Sequence, residues 1–177
     1  MESVAKSFIF DRFLSSDNSL DYYEIIYQNN SACQKTREAI LKLDIEQKLS
    51  FGKIENNLIF NFLDYLLWLK YKSEQKVENY EFTFRSSVEH YYPQHPLPGH
   101  NKLESNILNS FGNLCLISHS KNSRLSNLMP EAKKQYYAEN LIDSIKQYLM
   151  MKEESTWNED TIKKHYEQMK IILLNTL

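Results

Sequence analysis

Three of the four prolines in this chain of 177 residues lie between Pro93 and Pro98, and the whole sequence holds only three glycines. Proline fixes φ and removes a backbone donor, and glycine loosens the backbone, so a chain this poor in both can be regular almost everywhere. The exception is the proline cluster, which predicts one short irregular loop. The rest has to be built from helices and short strands. With 42% hydrophobic and 13% aromatic residues, these have enough apolar side chains for one compact domain with a smaller appendage.

The periodicities place the elements. Ser31 and Gln34 stand in capping-box spacing ahead of Cys33, Ile40 and Leu43, predicting a helix over about 32–48. After Ile54, the residues Leu58, Ile59, Phe62, Leu63, Leu66 and Leu67 form a broad apolar stripe, with Asn57, Asn61 and Asp64 on the opposite side. This helix is the expected core of the N-terminal half. Tyr80, Phe82 and Phe84 alternate with Glu81, Thr83 and Arg85 in the period of a half-buried strand running towards Val88. Leu114-Cys115-Leu116-Ile117 is a continuous apolar run, suited to a strand covered on both faces. Two C-terminal helices follow. One uses Leu141, Ile142, Ile145 and Leu149; the other starts near Asn158 and uses Ile162, Tyr166, Met169 and Leu173, with Thr156 and Glu159 in capping-box spacing. The class is α+β, a helical region over 1–75 followed by a two-stranded centre and helical tail over 76–177.

Composition removes several function classes. Cys33 and Cys115 form no CxxC pair, which argues against a disulfide framework or zinc knuckle and points to a reducing, cytoplasmic compartment. Glu2 stands where a signal peptide would be basic, and the most apolar segment, Leu58 to Leu69, is too short to span a bilayer. A formal charge of −2 gives no overall attraction to a polyanion, so any nucleic-acid contact has to be local. Lys121, Arg124, Lys133 and Lys134 form a patch that reads either as phosphate-binding residues or as solvated helix charges.

Chemistry-bearing residues fall at the ends of the two strands. Glu89-His90 sets a hard oxygen ligand beside a base that titrates near neutral pH. Asn113 precedes the apolar strand and Asn122 follows it. The order is strand, Glu-His, irregular loop, Gly-Asn-Leu, strand, and Lys-Asn opening a helix, the layout of a ββα-metal motif. Consecutive strand residues point to opposite faces, so Glu89 and His90 can share a site only if the strand ends or bends there, which Pro93 favours.

Glu89-His90, Pro93-Gln94, Gly112-Asn113-Leu114, Leu116, Asn122-Ser123 and Ser126-Asn127 together resemble the C-terminal domain of GmrSD-type modification-dependent restriction endonucleases. The same order is similar to the HNH domain of RNA-guided CRISPR nucleases, within the His-Me finger nucleases. The resemblance implies a metal-dependent endonuclease acting on DNA in restriction or phage defence. Glu89 would then be a metal ligand, His90 the general base, Asn113 the residue that orients the histidine, and Asn122 a second ligand. Carboxylate and amide oxygens suit Mg2+ or Mn2+, one ion per site. Tyr91 replaces the usual aliphatic residue, and Glu89 stands where many HNH enzymes have Asp.

Alternatives remain at three points. His119 competes with Asn122 as third ligand, because both sit at the strand-to-helix turn; His95 and His100 lie in the proline loop, as substrate contacts or as solvated residues. The whole unit could also be a catalytically inactive DNA- or protein-binding module of a larger defence protein. Finally, the chain has neither the Asp-Gly-Gln-Gln-Arg motif of the GmrSD N-terminal domain nor a glycine loop for phosphates. An N-terminal nucleotide-binding domain or subunit is therefore an expected partner, with modified phage DNA as substrate.

Overall fold

The computed structural model describes residues 2–15, 20–28 and 33–177, which form a mainly helical α+β structure with one two-stranded antiparallel sheet. The N-terminal helix α1 (Glu2–Lys6) continues through π-helical turns over Ser7–Phe13. Two short helices, α2 (Arg37–Leu41) and α3 (Ile45–Lys48), stand where a single helix over 32–48 is expected. Each starts on its own capping oxygen: Thr36 accepts from the Ala39 amide at 3.3 Å and Asp44 from that of Gln47 at 3.4 Å. Ser31, the expected cap, lies outside the described residues.

The apolar stripe becomes α4 (Leu58–Tyr71), which buries Ile59, Phe60, Phe62, Leu63 and Leu67. Asp64 departs from the expected polar face and is only 3% exposed. It accepts from the Ser144 hydroxyl at 3.1 Å and the Lys146 amide at 2.8 Å, because a later helix covers that side of α4. Burial pushes its carboxyl up to about 6.

After α5 (Gln75–Glu78), strand β1 spans only Ser87–His90. The proline loop, α6 (Ser105–Leu108) and a 3-10 turn over Phe111–Asn113 then lead to β2, Leu114–Ile117, buried on both faces as its apolar run predicts. The antiparallel register runs from Ser87 opposite Ile117 to His90 opposite Leu114. Beyond Ile117 the chain turns into α7 (His119–Leu125), so among the described residues those upstream of Ser87 have no strand to pair with. The alternation at Tyr80, Phe82 and Phe84 therefore does not become strand: Phe84 is 90% exposed, and Arg85 is buried against Asp143 at 3.3 Å.

Three helices complete the chain: α8 (Pro130–Ala138), α9 (Ile145–Lys152) and α10 (Glu159–Leu174). Leu141 precedes α9 and is exposed, whereas Ile142 and Ile145 are buried. The capping box of α10 is made by Asn158 and Thr161, two residues later than the expected Thr156 and Glu159. Among the described residues no helix is long and apolar enough to cross a membrane, and both cysteines are free. One hydrophobic core joins Phe10, Leu63, Val77, Leu114, Ile162 and Leu173, so it draws on both the 1–75 and 76–177 regions.

Two features lock the turn before β2. Helix α10 packs on Gly112 so closely that a Cβ there would sit 2.2 Å from the Ile162 carbonyl oxygen. Buried Lys146 donates to the carbonyls of Phe111 and Leu114 at 2.7 and 2.5 Å, and burial pushes its ammonium down to about 7.

Gly112→Ala should therefore cost about 1–3 kcal/mol and lower Tm by roughly 2–12 °C, read by thermal denaturation. Lys146 adds a pH dependence. The folded chain releases this proton near 7 and the unfolded chain near 10.5, so in between the unfolded state binds more protons and stability rises with pH. Between about pH 7 and about pH 8.5 the chain should gain stability that Lys146→Met does not gain, up to about 1.4 kcal/mol per pH unit. Parallel denaturation curves for the two proteins across this window would refute it.

Candidate active site

Strand β1 stops at His90, and the backbone bends away through Tyr91, Tyr92 and Pro93, all buried. Asn113 enforces the bend from the other side of the sheet. Its side chain is fully buried and makes four hydrogen bonds: Oδ1 accepts from the Tyr92 amide at 2.8 Å and the Trp157 indole at 3.0 Å, while Nδ2 donates to the carbonyls of Tyr92 at 3.0 Å and Leu108 at 2.9 Å. The Asn113 carbonyl also accepts from the Tyr91 amide at 2.8 Å. Asn113 thus holds the loop that carries His90 through Tyr92, and makes no hydrogen bond to the imidazole itself.

Glu89 and His90 are each 6% exposed and meet different neighbours. The Glu89 carboxylate lies against α8, where the Lys133 ammonium approaches Oε1 at 2.5 Å. The same ammonium donates to the carbonyls of His90 at 2.8 Å and Tyr91 at 3.1 Å. Burial pushes the Glu89 carboxyl up, and the Lys133 charge opposes this. The His90 imidazole lies on the α6 side, with Nε2 3.0 Å from Asn109 Oδ1 and the Phe51 ring edge-on at 4.6 Å between centroids. Burial pushes His90 below its ordinary value, with Lys133 acting in the same direction and the Asn109 hydrogen bond against it, which favours the neutral ring needed for a base.

The basic patch is reduced by these pairings. Lys133, expected at the substrate surface, is fully buried, because three oxygens at the end of β1 need its donors. Lys121 is partly exposed but bonds to the Leu141 carbonyl at 2.7 Å and to Asp143 at 3.2 Å. Asp143 is a buried hub that also accepts from Arg85 and from the amide and hydroxyl of Ser118, which fixes the start of α7. Arg124 and Lys134 are exposed, the former with its guanidinium 5.6 Å from the centroid of the Tyr136 ring.

Asn122 is half-buried on α7, which packs against β1, and its side chain makes no hydrogen bond to a described residue. His119, its competitor at the same turn, is exposed, as are His95 and His100 in the proline loop. The structure therefore joins Glu89 to Lys133, His90 to Asn109 and Asn113 to Tyr92. Asn109, Phe51 and Trp157 were not singled out from sequence; nothing in their local pattern marks them, because each reaches the site from a segment distant in sequence or through an irregular turn.

A family model described as GmrSD restriction endonucleases, C-terminal domain, matches residues 35–171. No curated protein and no solved structure matches the chain.

The buried ion pair makes a sharp stability prediction. Lys133→Met leaves an uncompensated carboxylate and should cost about 3–5 kcal/mol by chemical denaturation. Adding Glu89→Gln to Lys133→Met should recover part of that loss. Strict additivity of the two substitutions would show that the side chains do not interact.

Proposed function

The chain belongs to the family of GmrSD restriction endonuclease C-terminal domains, and on that premise we propose that it is a metal-dependent HNH endonuclease domain hydrolysing DNA phosphodiester bonds in restriction or phage defence. The observation that carries the reading is the position of His90. It is the last residue of β1, buried in a way that favours its neutral form, in a hairpin that runs through β2 directly into α7. That order of elements, strand, strand, helix, supports the ββα-metal reading.

In this reading His90 takes the proton of the attacking water, and Asn113 keeps the loop behind it from shifting. Glu89 and Asn122 are the proposed metal ligands. Their oxygens are the hard donors that Mg2+ or Mn2+ prefers, and the Asn122 amide is uncommitted among the described residues, but the Glu89 carboxylate is already paired with the Lys133 ammonium, which a bound cation would have to displace. When bound, a divalent ion would supply positive charge that polarises the scissile phosphate. Lys133 has a different role from the one its place in the basic patch implied: it sets Glu89 and the carbonyls on either side of the Tyr91 amide. Lys121, Arg124 and Lys134 remain as phosphate contacts. Modified phage DNA is the proposed substrate, with an N-terminal nucleotide-binding domain or subunit as partner.

The chain should cut or nick plasmid DNA with Mg2+ or Mn2+, and His90→Ala should lower the rate by about 10²–10⁴. Asn122→Ala should weaken Mn2+ binding, measured by calorimetry, while leaving the melting temperature of the metal-free protein nearly unchanged. Equal cleavage by the parent chain and His90→Ala would overturn the assignment.

A further inference from the structure

Among the described residues the His90 ring makes one hydrogen bond, to a residue that the functional reading leaves unused. Asn109 caps the C-terminus of α6, where its backbone amide bonds to the Ser105 carbonyl at 3.0 Å. Its side-chain Nδ2 donates to the Ser105 hydroxyl at 3.1 Å, which turns Oδ1 towards His90 Nε2 at 3.0 Å. Its carbonyl accepts from the Phe51 amide at 2.9 Å, placing the Phe51 ring against the imidazole. One asparagine thus sets both the hydrogen-bond partner of the ring and the aromatic edge beside it.

We propose that Asn109 is a positioning residue that holds His90 as the Nε2–H tautomer, leaving Nδ1 as the basic nitrogen. An amide oxygen can only accept, so a neutral imidazole facing it must carry its proton on that nitrogen. Nδ1 has no hydrogen-bond partner among the described residues, which leaves its lone pair available to a water molecule. The Asn109 bond also fixes the ring plane, since rotation about χ2 would break it. Asn113 and Asn109 then divide the work: the first holds the backbone that carries His90, the second holds the ring.

The tautomer does not depend on the nuclease reading; only its kinetic consequence rests on it. The test uses the full 15N-labelled chain and observes imidazole protons by NMR, at a pH where the ring is neutral. The parent chain should show a slowly exchanging Nε2–H signal for His90. Asn109→Leu should lose that signal to exchange with water, and Asn109→Asp, which keeps an acceptor oxygen, should retain it. In DNA cleavage, Asn109→Leu should lower kcat about tenfold with KM unchanged, well short of the loss from removing the base, and Asn109→Asp should recover most of it. A parent signal on Nδ1, or an Nε2–H signal that survives in Asn109→Leu, would overturn the proposal. An intact Nε2–H signal in a chain that cuts no DNA would leave the tautomer assignment standing and overturn the nuclease reading instead.

Discussion

Four hydrogen bonds to the buried Asn113 side chain close the connection between the two strands, and much of the rest follows from that closure. The segment from Tyr91 to Asn113 is mostly irregular, so its amides and carbonyls lack ladder partners, and unpaired backbone groups inside a protein are costly. Asn113 supplies two acceptor and two donor contacts at the one point where the loop returns to the sheet. Two consequences reach far along the chain. Pinning Tyr92 ends β1 at His90, and capturing the Trp157 indole brings the start of α10 to the sheet, where Gly112 leaves room for it. An apolar side chain at position 113 could fill the space but could do neither.

Two buried lysines solve the same backbone problem with charge. Lys133 feeds the carbonyls of His90 and Tyr91, and Lys146 those of Phe111 and Leu114, so each ammonium satisfies one carbonyl of a strand's terminal residue and one in the adjoining irregular segment. Their electrostatic settings differ. Lys133 has the Glu89 carboxylate in contact, whereas Asp64 bonds to the backbone amide of Lys146 and not to its ammonium. Lys146 therefore relies mainly on carbonyl dipoles, and burial lowers its pKa accordingly. The sheet is only four residue pairs long, too short to hold a site by itself, and these polar contacts fix what its ladder cannot.

Elements were legible in the sequence where one local period decided the outcome. The Leu58–Tyr71 stripe, the four-residue run of β2 and the Ile162–Leu173 spacing all formed as their patterns require. The Tyr80–Phe84 alternation failed because a strand needs a partner, and the length of β2 is set by the turn into α7, far from the alternating residues. Asp64 and Lys133 failed for a related reason. A helix face reads as polar only while nothing covers it, and the covering elements are α9 for Asp64 and the end of β1 for Lys133. The motif order around Glu89, His90, Asn113 and Asn122 could be read directly, but Asn109, which holds the ring, is tied to its position by an irregular turn that no period encodes.

The same pairings separate chemistry from attraction. A nucleic-acid site draws affinity from cations facing phosphates, each neutralised phosphate contributing about 0.9 to the salt slope on duplex DNA. Here Lys133 is consumed behind Glu89, and Lys121 is shared with Asp143, leaving Arg124 and Lys134 as the unburdened members of the patch on a chain of net charge −2. Internal satisfaction of buried oxygens took precedence over surface charge. The residues around His90 are held by contacts that need no ligand, whereas two such cations in the patch, on a chain of net charge −2, give little long-range pull on a polyanion. For the proposed DNA substrate, local geometry or a partner would therefore have to supply most of the binding, and the arrangement at His90 would act on whatever phosphate is delivered to it.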